Sequence, residues 1–275
     1  MPKLKIAAIL IVLLFFFSCT KKNKLIQDDI NISVTLVPYA DFVKQITGNR
    51  AKVKTLIPPG ANAHFLELSP KSVQEITESD IYFSVGELFR IEKEIQSKVK
   101  VENIVDCSKG IEVIDKNSHY WLSVANVKII TQNMLDELIK KYPQHKNYFI
   151  NNRTKFINKL DSINSKIKEK LISKKNRNLF VYHPAWTYLA NDYGLNEISI
   201  ERDGKSPKAQ ELKNFIKFAK EQNASCIFFD PNFDESSVKT IANSLNINID
   251  SLNPLPENFL ENLEEIGNKL EKHLR

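Results

Sequence analysis

Three histidines stand where a chain can present ligands. His64 follows Pro58-Pro59-Gly60, which halts an apolar run at residues 53–57. The prolines fix φ and remove donors, and the glycine frees the next φ, so the run must turn. His119 lies in an irregular piece, residues 117–122, beside Tyr120 and Trp121. His183, with Pro184, ends a second apolar run at residues 179–182. Each histidine therefore sits on a loop just past a strand or strand-like segment, where parallel sheets place ligand groups. Neutral imidazoles bind Zn²⁺ at about 2.0–2.1 Å, and a tetrahedral site takes its fourth ligand from oxygen, nitrogen or sulfur. The three are far apart in sequence, and nothing local matches a zinc finger or an H-E-x-x-H helix. Taken singly, each suits a packed structural role as well as a ligand. Their matching loop positions are what point to one shared metal site.

The elements that would carry these loops alternate between strand and helix. Residues 31–37 read as a strand ended by Pro38, residues 41–47 as a helix stopped by Gly48, and residues 53–57 as the strand before His64. Ser69 and Pro70 look like the N-cap and first position of a helix over residues 71–78. A strand at 81–85, a helix from Gly86 to about Lys98 and a strand at 103–106 complete a first lobe. A helix follows over residues 127–141. Pro143 then opens a longer helical pattern in which Phe149, Phe156, Leu160, Ile163, Ile167 and Leu171 form one stripe. Thirty or so residues at 1.5 Å each make a rod of about 45 Å, long enough to join two lobes and resist bending between them. The second lobe repeats the grammar of the first. Its strands are expected at residues 179–182, 197–200, 226–229 and 247–250, and its helices at 185–193, 208–222, 235–245 and 258–273. The expectation is an α/β chain of two lobes, each with a mostly parallel sheet flanked by helices, joined by one long rigid helix, with the metal site in the cleft between them.

Composition narrows the class. With 42% apolar and 26% charged residues, the bulk of the 275-residue chain has a soluble globular balance. The net charge of +6 is scattered among acidic residues and not gathered on one face, which argues against nucleic acid as a partner. The beginning is different. Lys3 and Lys5 precede an apolar run, residues 6–17, that is short for a membrane span but suits a signal-peptide core. It ends at Ser18-Cys19 and then turns polar, which resembles a bacterial lipoprotein signal in which the cysteine becomes the acylated first residue. Phe16 stands where that pattern usually has leucine. The layout expected is a signal at residues 1–19 with lipidation at Cys19, a tether at 20–30, a first lobe at 31–142, the linking helix at 143–173 and a second lobe at 174–275. Cys107 and Cys226 border strands of opposite lobes and read as buried thiols, not as a bridge.

From residue 31 onward the chain resembles the zinc and manganese solute-binding lipoproteins of ABC transporters, the ZnuA/TroA-like family. Three stretches carry the resemblance: Ile57-Pro58-Pro59-Gly60-Ala61-Asn62-Ala63-His64 with Glu67-Leu68-Ser69-Pro70 after it; Ser118-His119-Tyr120-Trp121-Leu122; and Tyr182-His183-Pro184-Ala185-Trp186 through Asp192-Tyr193-Gly194-Leu195. The resemblance implies that His64 and His119 come from the first lobe and His183 from the second, and that Asn253 occupies the fourth ligand position. It further implies a protein that is no enzyme: a monomer held outside the cytoplasm of a bacterium by its lipid anchor, handing its ion to a membrane permease. A histidine at the third position resembles zinc-type members, so Zn²⁺ is the expected ion, with Mn²⁺ the alternative. Two departures stand out. Asn253-Pro254-Leu255 replaces the family's Asp-Pro-Leu, with Asp250 or water as other candidates for the fourth place. Ser123-Val124 replaces the usual Asp-Pro after the second histidine motif.

Glu67 suits either an imidazole partner or an ordinary helix entry. Glu201 and Asp203 suit the border of the cleft or, more simply, a solvated loop; Asp230 and Asp234 read as flanking a turn, and His145 and His273 as exposed. Rival readings are the same scaffold tuned for manganese or iron, an extracytoplasmic zinc hydrolase with an open metal position, and an adhesin with a structural metal.

Overall fold

The computed structural model describes residues 30–58, 60, 67–99, 104–201, 208–232 and 235–275. The expected signal, Cys19, His64 and Asp203 lie outside these residues.

The first lobe is built from β1 (Ile30–Val34), α1 (Val37–Thr47), β2 (Ala51–Thr55), α2 (Pro70–Thr77), β3 (Ile81–Ser84), α3 (Arg90–Lys98) and β4 (Ile104–Asp106). Its strands pair in parallel in the order β2-β1-β3-β4. After α4 (Val124–Lys141) and α5 (Lys146–Ile172), the second lobe runs through β5 (Asn178–Val181), α6 (Thr187–Tyr193), β6 (Asn196–Ser199) and α7 (Ala209–Glu221). It ends with β7 (Cys226–Phe229), α8 (Glu235–Leu245), β8 (Asn248–Ser251) and α9 (Phe259–His273). Its order, β6-β5-β7-β8, is that of the first sheet, and every pairing is again parallel. The two-lobed α/β architecture read from the alternating pattern is therefore present, long helix included.

That long helix is the stiffest link between the lobes. Phe149, Phe156, Leu160, Ile167 and Leu171 of α5 are buried, and the helix packs on α1 and α4 from one lobe and on α9 from the other. Phe42 of α1 lies 6.0 Å from the Phe156 ring and 5.0 Å from that of Phe259. Asp41 of α1 accepts a hydrogen bond from the backbone N–H of Phe259 at 2.9 Å, closing the N-terminus of α9 from the opposite lobe. One apolar cluster accordingly runs from the first sheet through α5 into one face of the second, while a smaller cluster around Phe180, Phe215 and Ile227 fills the other face.

Several boundaries differ from expectation, each for a local reason. Pro38 does not end a strand. It sits in the first turn of α1, where its missing N–H is one of the helix's unpaired donors in any case. Residues 86–89 form a turn, with Phe89 N–H bonded to Gly86 O at 3.0 Å and Gly86 at φ 124°, so α3 begins only at Arg90. The helix α4 starts three residues before the expected position because Ser123 caps it, accepting from Asn126 N–H at 3.1 Å. His273, expected on the surface, is 7% exposed. Its Nε2 is 2.9 Å from Asp250 Oδ2 and its ring stands edge-on to Phe228. His145 is likewise half-buried, 3.3 Å from Arg50 Nη1. The two cysteines are free and buried. No helix among the described residues is long and apolar enough to cross a membrane.

Two outcomes test these packing arguments. A Cβ at Gly267 would stand 2.5 Å from Ile167 Cγ1, so α9 and α5 pack too closely there for a side chain. Gly267→Ala should lower stability, because overpacking costs about 1–3 kcal/mol against the ~1 kcal/mol gained in helix propensity; urea unfolding measures the difference. Burial works to raise the pKa of Asp250, but the His273 hydrogen bond and the nearby Lys269 outweigh it and leave the carboxyl below its usual 3.8. That stabilisation is complete above about pH 3.8 and is lost as pH falls through the folded-state value. The cost of Asp250→Asn, read from urea unfolding at pH 7 and at pH 3, should be smaller at the lower pH.

Candidate metal centre

His119 and His183 are carried by opposite lobes and meet. His119 precedes a single 3-10 turn, Tyr120–Leu122, all three residues of which are buried. Trp121 anchors that turn: its Nε1–H donates to Pro254 O at 2.6 Å, and its ring lies against Phe89 and Tyr39. The Trp121 and His119 rings are 5.3 Å apart. His183 lies two residues beyond β5, in a segment where Ala185 N–H bonds back to the His183 carbonyl at 2.9 Å. The two imidazole centroids are 5.3 Å apart at an interplanar angle of 74°. Each residue is 8% exposed. Two imidazoles at this separation lie close enough to turn toward one ion.

Both rings are oriented from behind. His119 Nδ1 is 2.7 Å from Asn117 Oδ1, and His183 Nδ1 is 3.1 Å from Glu201 Oε2. An amide oxygen or a carboxylate can only accept, so each Nδ1 carries a proton, and in the neutral ring Nε2 is left with the lone pair. A carboxylate behind a histidine raises the basicity of the ligand and fixes its tautomer, the arrangement typical of zinc-ligating imidazoles.

The second sheet explains why Glu201 is there. The ladder continues past β5 and β6, with Ile200 N–H to Val181 O at 3.0 Å and Glu201 N–H to Tyr182 O at 2.8 Å. On the other side, Tyr182 N–H bonds Phe228 O at 2.8 Å, which sets Asp230 at the neighbouring strand end. The strand order thus lines up Glu201, His183 and Asp230 along the C-terminal edge of the sheet. Glu201 is 5% exposed, not solvated as the sequence suggested, because strand pairing draws its backbone inward. Asp230 is buried too, accepting from Asn232 N–H at 2.8 Å and Nδ2 at 3.0 Å. Glu197 accepts from Trp186 N–H and from the Thr187 hydroxyl, at 2.7 and 2.6 Å. Burial raises the pKa of both Asp230 and Glu197, while hydrogen bonds and the nearness of His183 pull them partly back.

Asn253 has its side-chain oxygen engaged by Leu255 N–H at 2.9 Å, and its carbonyl by Asn262 Nδ2 at 2.9 Å. The segment lies beside the His119 turn through the Trp121–Pro254 bond. Asp250, the alternative, faces His273 and Lys269 instead, with Lys269 Nζ 3.4 Å from its Oδ1. Among the described residues no group of three or more histidine, cysteine, aspartate or glutamate side chains closes around one point. A pair of buttressed imidazoles in opposite lobes, with buried carboxylates at hand, nonetheless fits a nitrogen-preferring divalent ion. Sequence reasoning passed over Asn117 and preferred a solvated loop to a cleft border for Glu201. Glu201 carried the signal used for the histidines, a polar residue directly after an apolar strand. Asn117 carried none.

Where the sequence has Ser123 in place of the expected aspartate, Asp192 of α6 fills in from the other lobe. Its Oδ2 accepts from Ser123 Oγ at 2.8 Å and from Val124 N–H at 2.7 Å.

Comparison with known proteins agrees with this construction. The zinc-binding lipoprotein AdcA of Streptococcus pneumoniae is 26% identical over 303 residues, an alignment that takes in 100% of this chain but 60% of that protein. A crystal structure of ZnuA superposes with a TM-score of 0.84 at 26% identity, covering 90% of this chain and 100% of that one. The zinc-bound ZnuA-like domain of Streptococcus pneumoniae AdcA gives a TM-score of 0.78 at 25% identity, covering 90% and 99%. The model of the periplasmic zinc-uptake complex component A, ZnuA, matches residues 32–273, and the chain belongs to that family.

Proposed function

We propose that this chain is an extracytoplasmic solute-binding protein that captures a divalent transition metal, zinc first, and delivers it to the permease of an ABC transporter. The observation that carries this reading is the apposition of His119 and His183 across the lobes, each with its Nδ1 held by an acceptor. His64, which follows β2 in the sequence, is the third ligand in this reading, and Asn253 or water the fourth. The chain catalyses no reaction itself and acts as a monomer. The polar stretch after Cys19 tethers it to a lipid anchor on the outer side of a bacterial membrane.

In this scheme the metal is cargo. The protein's work is to offer neutral imidazoles in a fixed geometry and to let them go. Capture requires deprotonated rings, so affinity falls as pH drops and the rings take up protons. Nitrogen donors favour zinc over manganese, whose preferred ligands are oxygens. Manganese is the second reading, and it would need Glu201 or Asp230 to ligate the ion directly as an oxygen donor.

Zinc titration against a competing chelator, on the chain beginning at Thr20, tests the proposal. One zinc per chain is expected, with affinity well above that for manganese. His64→Ala, His119→Ala or His183→Ala should each cost more than the roughly 10–100-fold typical of losing an outer partner. Undiminished binding in all three would overturn the assignment, and tighter binding of manganese than of zinc would replace the cargo. A second expectation concerns the carboxylate behind His183. Glu201→Gln keeps an acceptor but loses the charge, and zinc affinity should fall about 10-fold or more. The same titration reads it, with His183→Ala as the lower bound.

A further inference from the structure

The loop before His119 is held in an unusual shape. Asp115 and Lys116 both have positive φ, 48° and 56°, and Asn117 N–H bonds Ile114 O at 2.8 Å. Two successive left-handed residues that are not glycine are strained, so something must hold the turn. The holder comes from the other lobe. The Tyr188 hydroxyl of α6 accepts from Ile114 N–H at 3.2 Å and donates to Asn117 O at 2.8 Å, closing the turn at both ends.

The turn aims one side chain. Asn117 Oδ1 accepts from the His119 backbone N–H at 2.8 Å as well as from its Nδ1. Asn117 Nδ2 donates to Pro184 O and to Thr187 Oγ1, each at 2.9 Å. The direction of every bond is fixed. Pro184 O can only accept, and Thr187 has given its own proton to Glu197 Oε2. One amide therefore links the ring of His119 to the residue that follows His183 in sequence. Aspartate lacks the donors, and alanine lacks everything beyond Cβ.

We propose that Asn117 is the positioning residue that joins the two histidine loops into one preorganised half-site, fixing the His119 tautomer and gripping the His183-Pro184 loop at the same time. This rests on the reading of His119 and His183 as metal ligands. It adds that their mutual placement is set by a bridge between the lobes and not by each lobe separately. Removing that bridge loosens both imidazoles at once, and metal affinity drops although neither ligand has been touched.

The test compares the wild-type chain with Asn117→Ala and Asn117→Asp. In the metal-free proteins, ¹⁵N–¹H correlation spectra of the imidazoles report tautomer and environment; zinc affinity is then measured by chelator competition. In the wild-type chain His119 should appear as the Nδ1–H tautomer. In Asn117→Ala that signature should be lost, the His183 signals should shift, and zinc affinity should fall about 10–100-fold. In Asn117→Asp the His119 signature should persist while the His183 signals still shift, because the bonds to Pro184 and Thr187 are gone. If Asn117→Ala fails to fold, Asn117→Asp carries the same reading of His183. Unchanged His183 signals in a folded variant, or wild-type affinity in Asn117→Ala, would overturn the bridge. A wild-type chain that takes up no zinc, with these spectral changes in place, would instead sink the metal reading on which it rests.

Discussion

The apolar core does not stop at the gap between the two sheets. It passes from the first sheet through α5 to the second, with Phe42 of α1 against both Phe156 and Phe259 where α1, α5 and α9 meet. Every functional feature depends on that continuity. The two imidazoles come from different lobes, and 5.3 Å between their centroids is a distance that a hinge of a few degrees would spoil. Interiors packed at crystal-like density do not deform smoothly, so a lobe can tilt only as far as that shared core allows. Polar contacts add to the same restraint, because Asp41 caps α9 and Asp192 caps α4, each across the lobe boundary. Exchange of an ion in such a frame falls to loops and protonation more than to wide closure.

The electrostatics of the second sheet edge follow from topology. Strand order β6-β5-β7 sets buried acids on either side of His183, and burial leaves the Asp230 and Glu197 carboxyls with raised pKa values. An ionised carboxylate away from water is costly unless a cation stands near it. A divalent ion held by His183 would favour their charged forms. The acids need not touch the metal for this. They make the neighbourhood responsive to its charge.

Much of this was legible in the sequence, and the unread parts share a cause. Periodicity and punctuation by Pro, Gly and Ser located the strands and helices, because those residues act on their own backbone. Pro38 misled because a proline that could end a strand can equally begin a helix, and only the path of the chain decides. His273 and Glu201 were misread for a different reason. Both looked like surface residues by local composition, and both are buried by partners far along the chain, Asp250 and His183. Asn117 is the extreme case. Nothing near it in sequence distinguishes it from any loop asparagine, and the two of its four side-chain hydrogen bonds that reach Pro184 and Thr187 exist only because the other lobe lies against its turn.

Asn253 shows how one substitution can move charge without dismantling a site. In the expected pattern an aspartate here would bring a negative oxygen from the segment after β8. In this chain the side-chain oxygen closes a local turn with Leu255 N–H, and the backbone around it serves as scaffold, taking bonds from Asn262 and, one residue on, from the Trp121 indole. The segment thus still supports the His119 turn from below, which a neutral residue does as well as a charged one. Negative charge is supplied instead from the sheet edge, by Glu201 in direct contact with His183 and by Asp230 on the adjacent strand. Placing the charge behind a ligand rather than on the metal strengthens the imidazole as a donor while keeping the ligand set rich in nitrogen, and that is the direction in which zinc is preferred over manganese.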